Sequence, residues 1–255
     1  MANKPLIFVA NWKMNSSSEL VQSFCQQNLT ELTQLGKNKN ATIIICPSFT
    51  ELSSTAALVK DTGIFMGAQD CSPHTPGPHT GDVSAQQLTH AGCTYSIVGH
   101  SERGEAREIV AQKVARLTEQ NITPIICFGE QESTQNSPLA LQNQVEPIIK
   151  AIKTLYIKPK KLLWAYEPLW AIGTGNVPNA EQIQGVFLWL SGLLAGLIEH
   201  DRVIMKYLYG GSVNENTSQK IACAELLNGF LIGSASLNFK KFQNIVLLNS
   251  SMTQS

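Results

Sequence analysis

The 255-residue chain reads as an α/β protein, a single (β/α)8 barrel of eight parallel strands with outer helices, taking up residues 1–255 as one domain. Three observations predict this. Eight short apolar runs recur about every 30 residues, and segments with helical spacing lie between them. No long polar linker interrupts the alternation. Eight βα units in about 250 residues is the size of one closed barrel.

The runs, in order, are "LIFVANW" at Leu6, "TIIIC" at Thr42, "IFMGAQ" at Ile64, "YSIVG" at Tyr95, "PIICFG" at Pro124, "LLWAYE" at Leu162, "VIMKYLYG" at Val203 and "GFLIGS" at Gly229. Each is nearly continuous in apolar residues, as a strand buried on both faces must be. Helical spacing marks Ser16–Leu35, Gly104–Glu119 and Asn179–Glu199 among the segments between them. An open doubly wound sheet is the alternative topology. It would usually carry a Gly-rich turn after the first strand, and "NWKMN" stands there instead.

Composition narrows the function. Hydrophobic residues make up 43% of the chain, enough for a sizeable core. Basic and acidic residues balance at 19 each. A neutral chain has no bulk field for nucleic acid or a membrane surface, so any anion it binds must be held locally. The N-terminal apolar run is short and leads straight into polar residues, unlike a signal peptide. No run is long enough to span a bilayer. The six cysteines are scattered without a CxxC pair and read as reduced thiols, so a cytoplasmic location is expected. His74 and His79 flank "TPGP", but two imidazoles there are weak grounds for a metal, and none is expected.

Barrel sites form at the C-terminal ends of the strands. The first strand ends in Asn11 and Lys13, the fourth in "GHSER" with His100, and the sixth in Glu167, the one charge in "LLWAYEPLWAIGTGN". An amide, an ammonium, an imidazole and a carboxylate thus share one rim. Taken singly, each has a plainer reading: the lysine as a solvated loop residue, His100 as a cap for a helix near Ser101. Small residues mark three more places: Gly173 and Gly175 beyond Glu167, "YGGSV" with Ser212, and "IGSAS" with Gly233 and Ser234. Glycines let backbone N–H groups approach a ligand, and the loops after strands seven and eight are a common phosphate site in barrels.

"NWKMN", "VGHSER", "AYEPLWAIGTG", "YGGSV" and "GFLIGSASL" stand in an order and spacing that closely resemble the triosephosphate isomerase family over nearly the whole chain. The resemblance implies a TIM barrel that interconverts dihydroxyacetone phosphate and glyceraldehyde 3-phosphate without a cofactor. It makes Glu167 the general base and His100 a neutral electrophile, roles that are the family's own. It makes Lys13 the cation beside phosphate and enediolate, Glu102 the carboxylate holding that lysine, and Asn11 a donor to substrate oxygen. Gly173, Ser212, Gly233 and Ser234 match the phosphate cradle. "HTPGPHTGD" resembles an interface loop whose Thr80 reaches a partner's active site, which implies a homodimer.

The chain also departs from the family pattern. Ser234 replaces a glycine, Asp70 an asparagine, and Gly104 the second arginine of "SERR", which removes an ion pair. The family's loop latch joins a tyrosine matching Tyr209 to a backbone N–H at the position of Pro178, which has none. Two other readings remain. A Schiff-base aldolase would need a buried strand lysine, for which Lys206 is the candidate. A non-catalytic scaffold would be free to lose Glu167, His100 or Lys13.

Overall fold

Strand β1 (Leu6–Asn11) is buried at every position after its first, so it needs cover on both faces. The computed structural model describes residues 5–130, 138–171 and 177–251, apart from the side chains of 198–201. In it β1 is followed by β2 (Ala41–Cys46), β3 (Phe65–Ala68), β4 (Cys93–Val98), β5 (Thr123–Phe128), β6 (Lys161–Tyr166), β7 (Ile204–Tyr209) and β8 (Leu227–Ile232). They form a closed parallel barrel in sequence order. The helices between and after them are α1 (Ser18–Val21), α2 (Leu29–Gly36), α3 (Leu52–Val59), α4 (Ala85–His90), α5 (Arg107–Glu119), α6 (Pro138–Thr154), α7 (Ala180–Asp201), α8 (Glu215–Ile221) and α9 (Phe239–Ser251). The fold is the expected (β/α)8 barrel.

Alternation along the strands creates two cores. Ile7, Val9, Ile125, Cys127, Leu163 and Ala165 belong to a cluster made of strand residues alone, which fills the barrel. Their neighbours Phe8, Ala10, Ile126, Phe128, Leu162 and Trp164 join the larger cluster shared with the helices. That is why the runs lack polar alternation.

Two boundaries differ from the sequence reading. The helical segment Ser16–Leu35 is not continuous: a π-helical turn spans Gln22–Gln26, and Asn28 leaves helical geometry at φ −118°, ψ 29°. The Asn28 amide donates to the carbonyls of Ser23 (2.7 Å) and Phe24 (3.3 Å), competing with the helical ladder. Strand β8 begins two residues before the apolar run at Gly229. Its Asn228 is buried, and its side-chain oxygen accepts the Tyr207 N–H at 3.0 Å where the β7–β8 register shifts. A side chain there stands in for a ladder carbonyl.

The barrel closes where β8 meets β1, with Ile7 opposite Gly229 and Ala10 opposite Ile232. Gly229 has φ +151°, and a Cβ there would overlap the Ile7 carbonyl. Closure therefore needs a glycine at this point. Gly229→Ala should cost about 3 kcal/mol through overpacking and lower Tm by roughly 6–12 °C. Gly185→Ala is the control. Gly185 lies within α7 with open space around its Cα, so alanine should raise Tm slightly. Calorimetry on both variants checks this, and an unchanged Tm for Gly229→Ala contradicts it.

Candidate active site

Parallel strands in one closed barrel present all their C-terminal ends on the same rim. Glu167 leaves β6 there and is held by its own N–H, which donates to the Phe128 carbonyl at 2.7 Å. The residue is 2% exposed, so its carboxylate has almost no water. Burial pushes the carboxyl above its ordinary range; His100, the Cys127 thiol, Lys13 and the Ser101 N–H pull it partway back. Oε2 has no hydrogen-bond partner among the described residues. The carboxylate is thus a strengthened base with one oxygen uncommitted.

His100 ends the β4 strand segment through Gly99, whose φ is +68°. Its Nε2 lies 3.2 Å from Glu167 Oε1. Its Nδ1 accepts the Glu102 N–H, also at 3.2 Å, at the start of a 3-10 turn over Ser101–Arg103. The cap therefore occupies Nδ1 and leaves Nε2 to face Glu167, so the two readings of His100 use different nitrogens of one ring. Because Nδ1 accepts a backbone proton, the neutral ring carries its own proton on Nε2, toward Glu167 and the cavity.

Lys13 has φ +52°, a left-handed backbone in a non-glycine residue. Such a conformation costs on the order of 1–3 kcal/mol and persists only where neighbours enforce it. Here they do. The Lys13 N–H donates to Asn11 Oδ1 at 3.0 Å, and the Lys13 carbonyl accepts from Gln69 Nε2 at 2.8 Å. Its ammonium is 2.5 Å from Glu102 Oε1. Burial alone would raise the Glu102 carboxyl, but the Lys13 contact wins and holds it below its ordinary range.

The glycines of "YGGSV" have a structural reason that spacing does not show. A Cβ on Gly210 would stand 2.8 Å from Glu167 Cγ, and one on Gly211 would overlap the Tyr209 hydroxyl. They make room for the carboxylate and for a tyrosine. Ser212 Oγ donates to the Ala171 carbonyl at 2.8 Å, tying this loop to the segment beyond Glu167. A Cβ on Gly233 would lie 3.3 Å from Lys13 Cε, so a glycine here leaves room for the lysine. Ser234 is not among the residues with positive φ, and a serine is accommodated there at the start of a 3-10 turn over Ser234–Leu237.

A cavity of about 510 Å³ is lined by Asn11, Lys13, His100, Glu167, Ser212, Gly233 and Ser234 together. Glu102 lines the adjoining hollow with Lys13 and Asn11. Gly173 lies outside the described residues. Thr80 is elsewhere, in an exposed stretch from His74 to Asp82. There the His74 and His79 rings stack at 4.0 Å and 6°, face to face rather than lone pair to lone pair. Lys206 sits half-buried in β7 and does not line the cavity.

Sequence reading missed Gln69, Cys127 and Gly210. Gln69 Nε2 joins the carbonyls of Lys13 and Cys46 at 2.8 and 2.9 Å; its place at the end of β3 was the available signal. At the Gly104 departure the pairing is redistributed. Gly104 is left-handed at φ +59°, while Arg103 pairs with Asp70 (3.0 Å) and buried Lys113 bridges Asp70 (2.7 Å) and Glu105 (2.5 Å). The carboxylate of Asp70 makes that network possible.

The chain matches the family described as triosephosphate isomerase over residues 6–249. It is 34% identical over 244 residues to the triosephosphate isomerase of Aquifex aeolicus, an alignment covering 94% of this chain and 98% of that one. It is 36% identical over 246 residues to the protein of that name from Polynucleobacter asymbioticus, covering 94% and 97%. The counterpart from Pseudoalteromonas translucida is 36% identical over 252 residues, covering 96% and 97%.

Proposed function

We propose, on the premise that the chain belongs to the triosephosphate isomerase family, that Glu167 is the general base of the reaction and His100 its electrophile. The protein is an isomerase that interconverts dihydroxyacetone phosphate and D-glyceraldehyde 3-phosphate. In the proposed mechanism Glu167 takes a proton from the hydroxymethyl carbon beside the carbonyl. The C–H electron pair forms the carbon–carbon double bond, and the carbonyl oxygen gains the charge. His100 Nε2–H hydrogen-bonds that oxygen, and Lys13 stabilises the negative charge. The hydroxyl proton on the first carbon's oxygen passes to the former carbonyl oxygen, which leaves that first carbon as the new carbonyl as Glu167 returns its proton to the neighbouring carbon. The chemistry is proton transfer alone, so no metal or organic cofactor enters it.

The observation that carries this reading is the buried Glu167 carboxylate, 3.2 Å from His100 Nε2, in the same cavity as Lys13. A proton on carbon beside a carbonyl is weakly acidic, and a dehydrated carboxylate is a stronger base for it. In this reading Asn11, on the cavity wall, donates to a substrate oxygen, and Glu102 holds Lys13. The main chain at Ser212, Gly233 and Ser234, with Gly173 expected beside them, would cradle the phosphate. Glu167→Gln should lower kcat by about 10²–10⁴-fold or more while affinity for a substrate analogue stays within a few-fold. A coupled assay with inhibitor titration checks both, and near-normal kcat would remove Glu167 from the role.

A homodimer fits the same reading. The stretch from His74 to Asp82 is exposed on this chain, with Thr80 within it, as expected of a loop that reaches a partner's site. Sedimentation should give twice the 27.8 kDa chain mass; the chain mass itself would count against a dimer. The six free thiols fit a cytoplasmic location. No helix among the described residues is long and apolar enough to cross a membrane.

Loop closure departs from the family pattern. The Tyr209 hydroxyl is fully buried against Gly211 and has no hydrogen-bond partner among the described residues. Pro178 has no N–H to offer it. Tyr209→Phe should therefore reduce kcat/KM by less than about threefold, under roughly 0.7 kcal/mol. Steady-state kinetics decides, since a hundredfold loss would mean the hydroxyl holds the closed loop.

A further inference from the structure

On the side of Glu167 that faces β4 and β5 lies a second cavity of about 310 Å³, whose wall includes Arg107, Gln144, Gly129 and Glu167 itself. Arg107 is the first residue of α5. A helix N-terminus favours acidic side chains and disfavours a cation, so local preference argues against arginine here. Its contacts lead inward instead. The guanidinium donates to the Cys127 carbonyl at 3.0 Å and to Gln144 Oε1 at 2.6 Å. Gln144 in turn clasps Gly129 from both sides, accepting its N–H at 3.2 Å and donating to its carbonyl at 2.6 Å. Gly129 is pressed against Glu167 so closely that a Cβ would overlap the Glu167 carbonyl.

The guanidinium has no carboxylate within ion-pair distance among the described residues. The titratable groups around it are Glu167 and His100 on the cavity wall, Glu105 from the turn before α5, and the Cys127 thiol from β5. Glu105 is already paired with Lys113 and Arg103. Burial pushes the Cys127 thiol well up, so it is neutral. That leaves Glu167, which His100, Cys127, Lys13 and the Ser101 N–H compensate only in part, sharing the cavity wall with a guanidinium that has no ion-pair partner among the described residues.

We propose that Arg107 is a positioning residue for the base, a fixed half-buried cation that favours the ionised form of Glu167 from the β5 side and, with Gln144, seats Gly129 beneath it. It does not touch substrate. The proposal rests on Glu167 being the base. The sign follows directly: a cation favours the carboxylate, so removing it raises the pH at which Glu167 ionises, and the acid limb of the activity profile moves up.

The test is the pH profile of kcat/KM for the wild type, Arg107→Gln, Arg107→Lys and Gln144→Glu. Gln144→Glu sets a carboxylate against the guanidinium, giving up the Nε2 bond to the Gly129 carbonyl, so the charge is countered even if Arg107→Gln does not fold. Arg107→Gln and Gln144→Glu should move the acid limb up by about half a pH unit or more, roughly a threefold loss on the acid side, with the alkaline plateau within about twofold. Arg107→Lys should keep the limb in place. The substrate phosphate titrates identically for all four proteins, so only the differences are read. Alkylation of Glu167 by an α-haloketone phosphate, in which the carboxylate displaces halide, should show the same displacement without turnover. A limb at the wild-type pH in either folded neutralising variant overturns the proposal, as does a loss that is equal at every pH. Glu167→Gln separates the two levels. If it is inactive while the limbs coincide, only the Arg107 role fails; if it is active, the base assignment itself has failed.

Discussion

A carboxylate at 2% exposure is the constraint around which this barrel rim is arranged. Removing an ionised group from water costs several kcal/mol unless neighbours compensate. The compensation here is partial: an imidazole, a thiol and a main-chain N–H face Glu167, and one oxygen has no partner among the described residues. Partial compensation leaves a base stronger than a solvated glutamate. It also dictates residues elsewhere. Gly210 and Gly129 are small because the side chain and main chain of Glu167 occupy the space their Cβ atoms would take.

The second fixed point is Lys13. Its left-handed backbone is held by Asn11 and Gln69, and its ammonium by Glu102. Glu102 rides on the same short turn that presents His100, so electrophile and lysine are positioned by one segment. That segment is braced from below by Arg103, Asp70, Lys113 and Glu105. Burying a charge network is rarely stabilising in itself. Its contribution here is geometric, since it anchors the β4–α5 turn to the end of β3.

The eight strands were legible because burial on both faces turns each into an unbroken apolar run. Glu167, His100 and Lys13 stood out as candidates because they end three such runs on one rim, although each alone has a plainer reading, and the structure brings them to one cavity. What stayed hidden depends on distant parts of the chain. Asn228 reads as a break in an apolar run, yet it completes a ladder with Tyr207. Gly210 reads as a turn glycine or a ligand cradle, and only the position of Glu167 reveals its purpose. Gln69, Arg107 and Gln144 are ordinary polar residues in sequence, and their roles exist only once β1, β5 and α6 are brought beside them. The break at Asn28 escaped because its cause is the Asn28 amide bonding back to the Ser23 and Phe24 carbonyls, a contact that hydrophobic spacing does not report.

The seam at Gly229 has a consequence for how the protein is made. The two strands it joins, with Ile7 opposite Gly229, come from opposite ends of the chain. A ribosome delivers β1 before the other seven strands and β8 after them. Until β8 has emerged, β1 can pair along only one side, with β2, and its other side is a row of unpaired amides and carbonyls set between apolar side chains. Such an edge is the surface that chaperones hold and that other nascent chains join. The cylinder is therefore sealed only once β8 has emerged, and until then the barrel is an open sheet that must be kept from its neighbours.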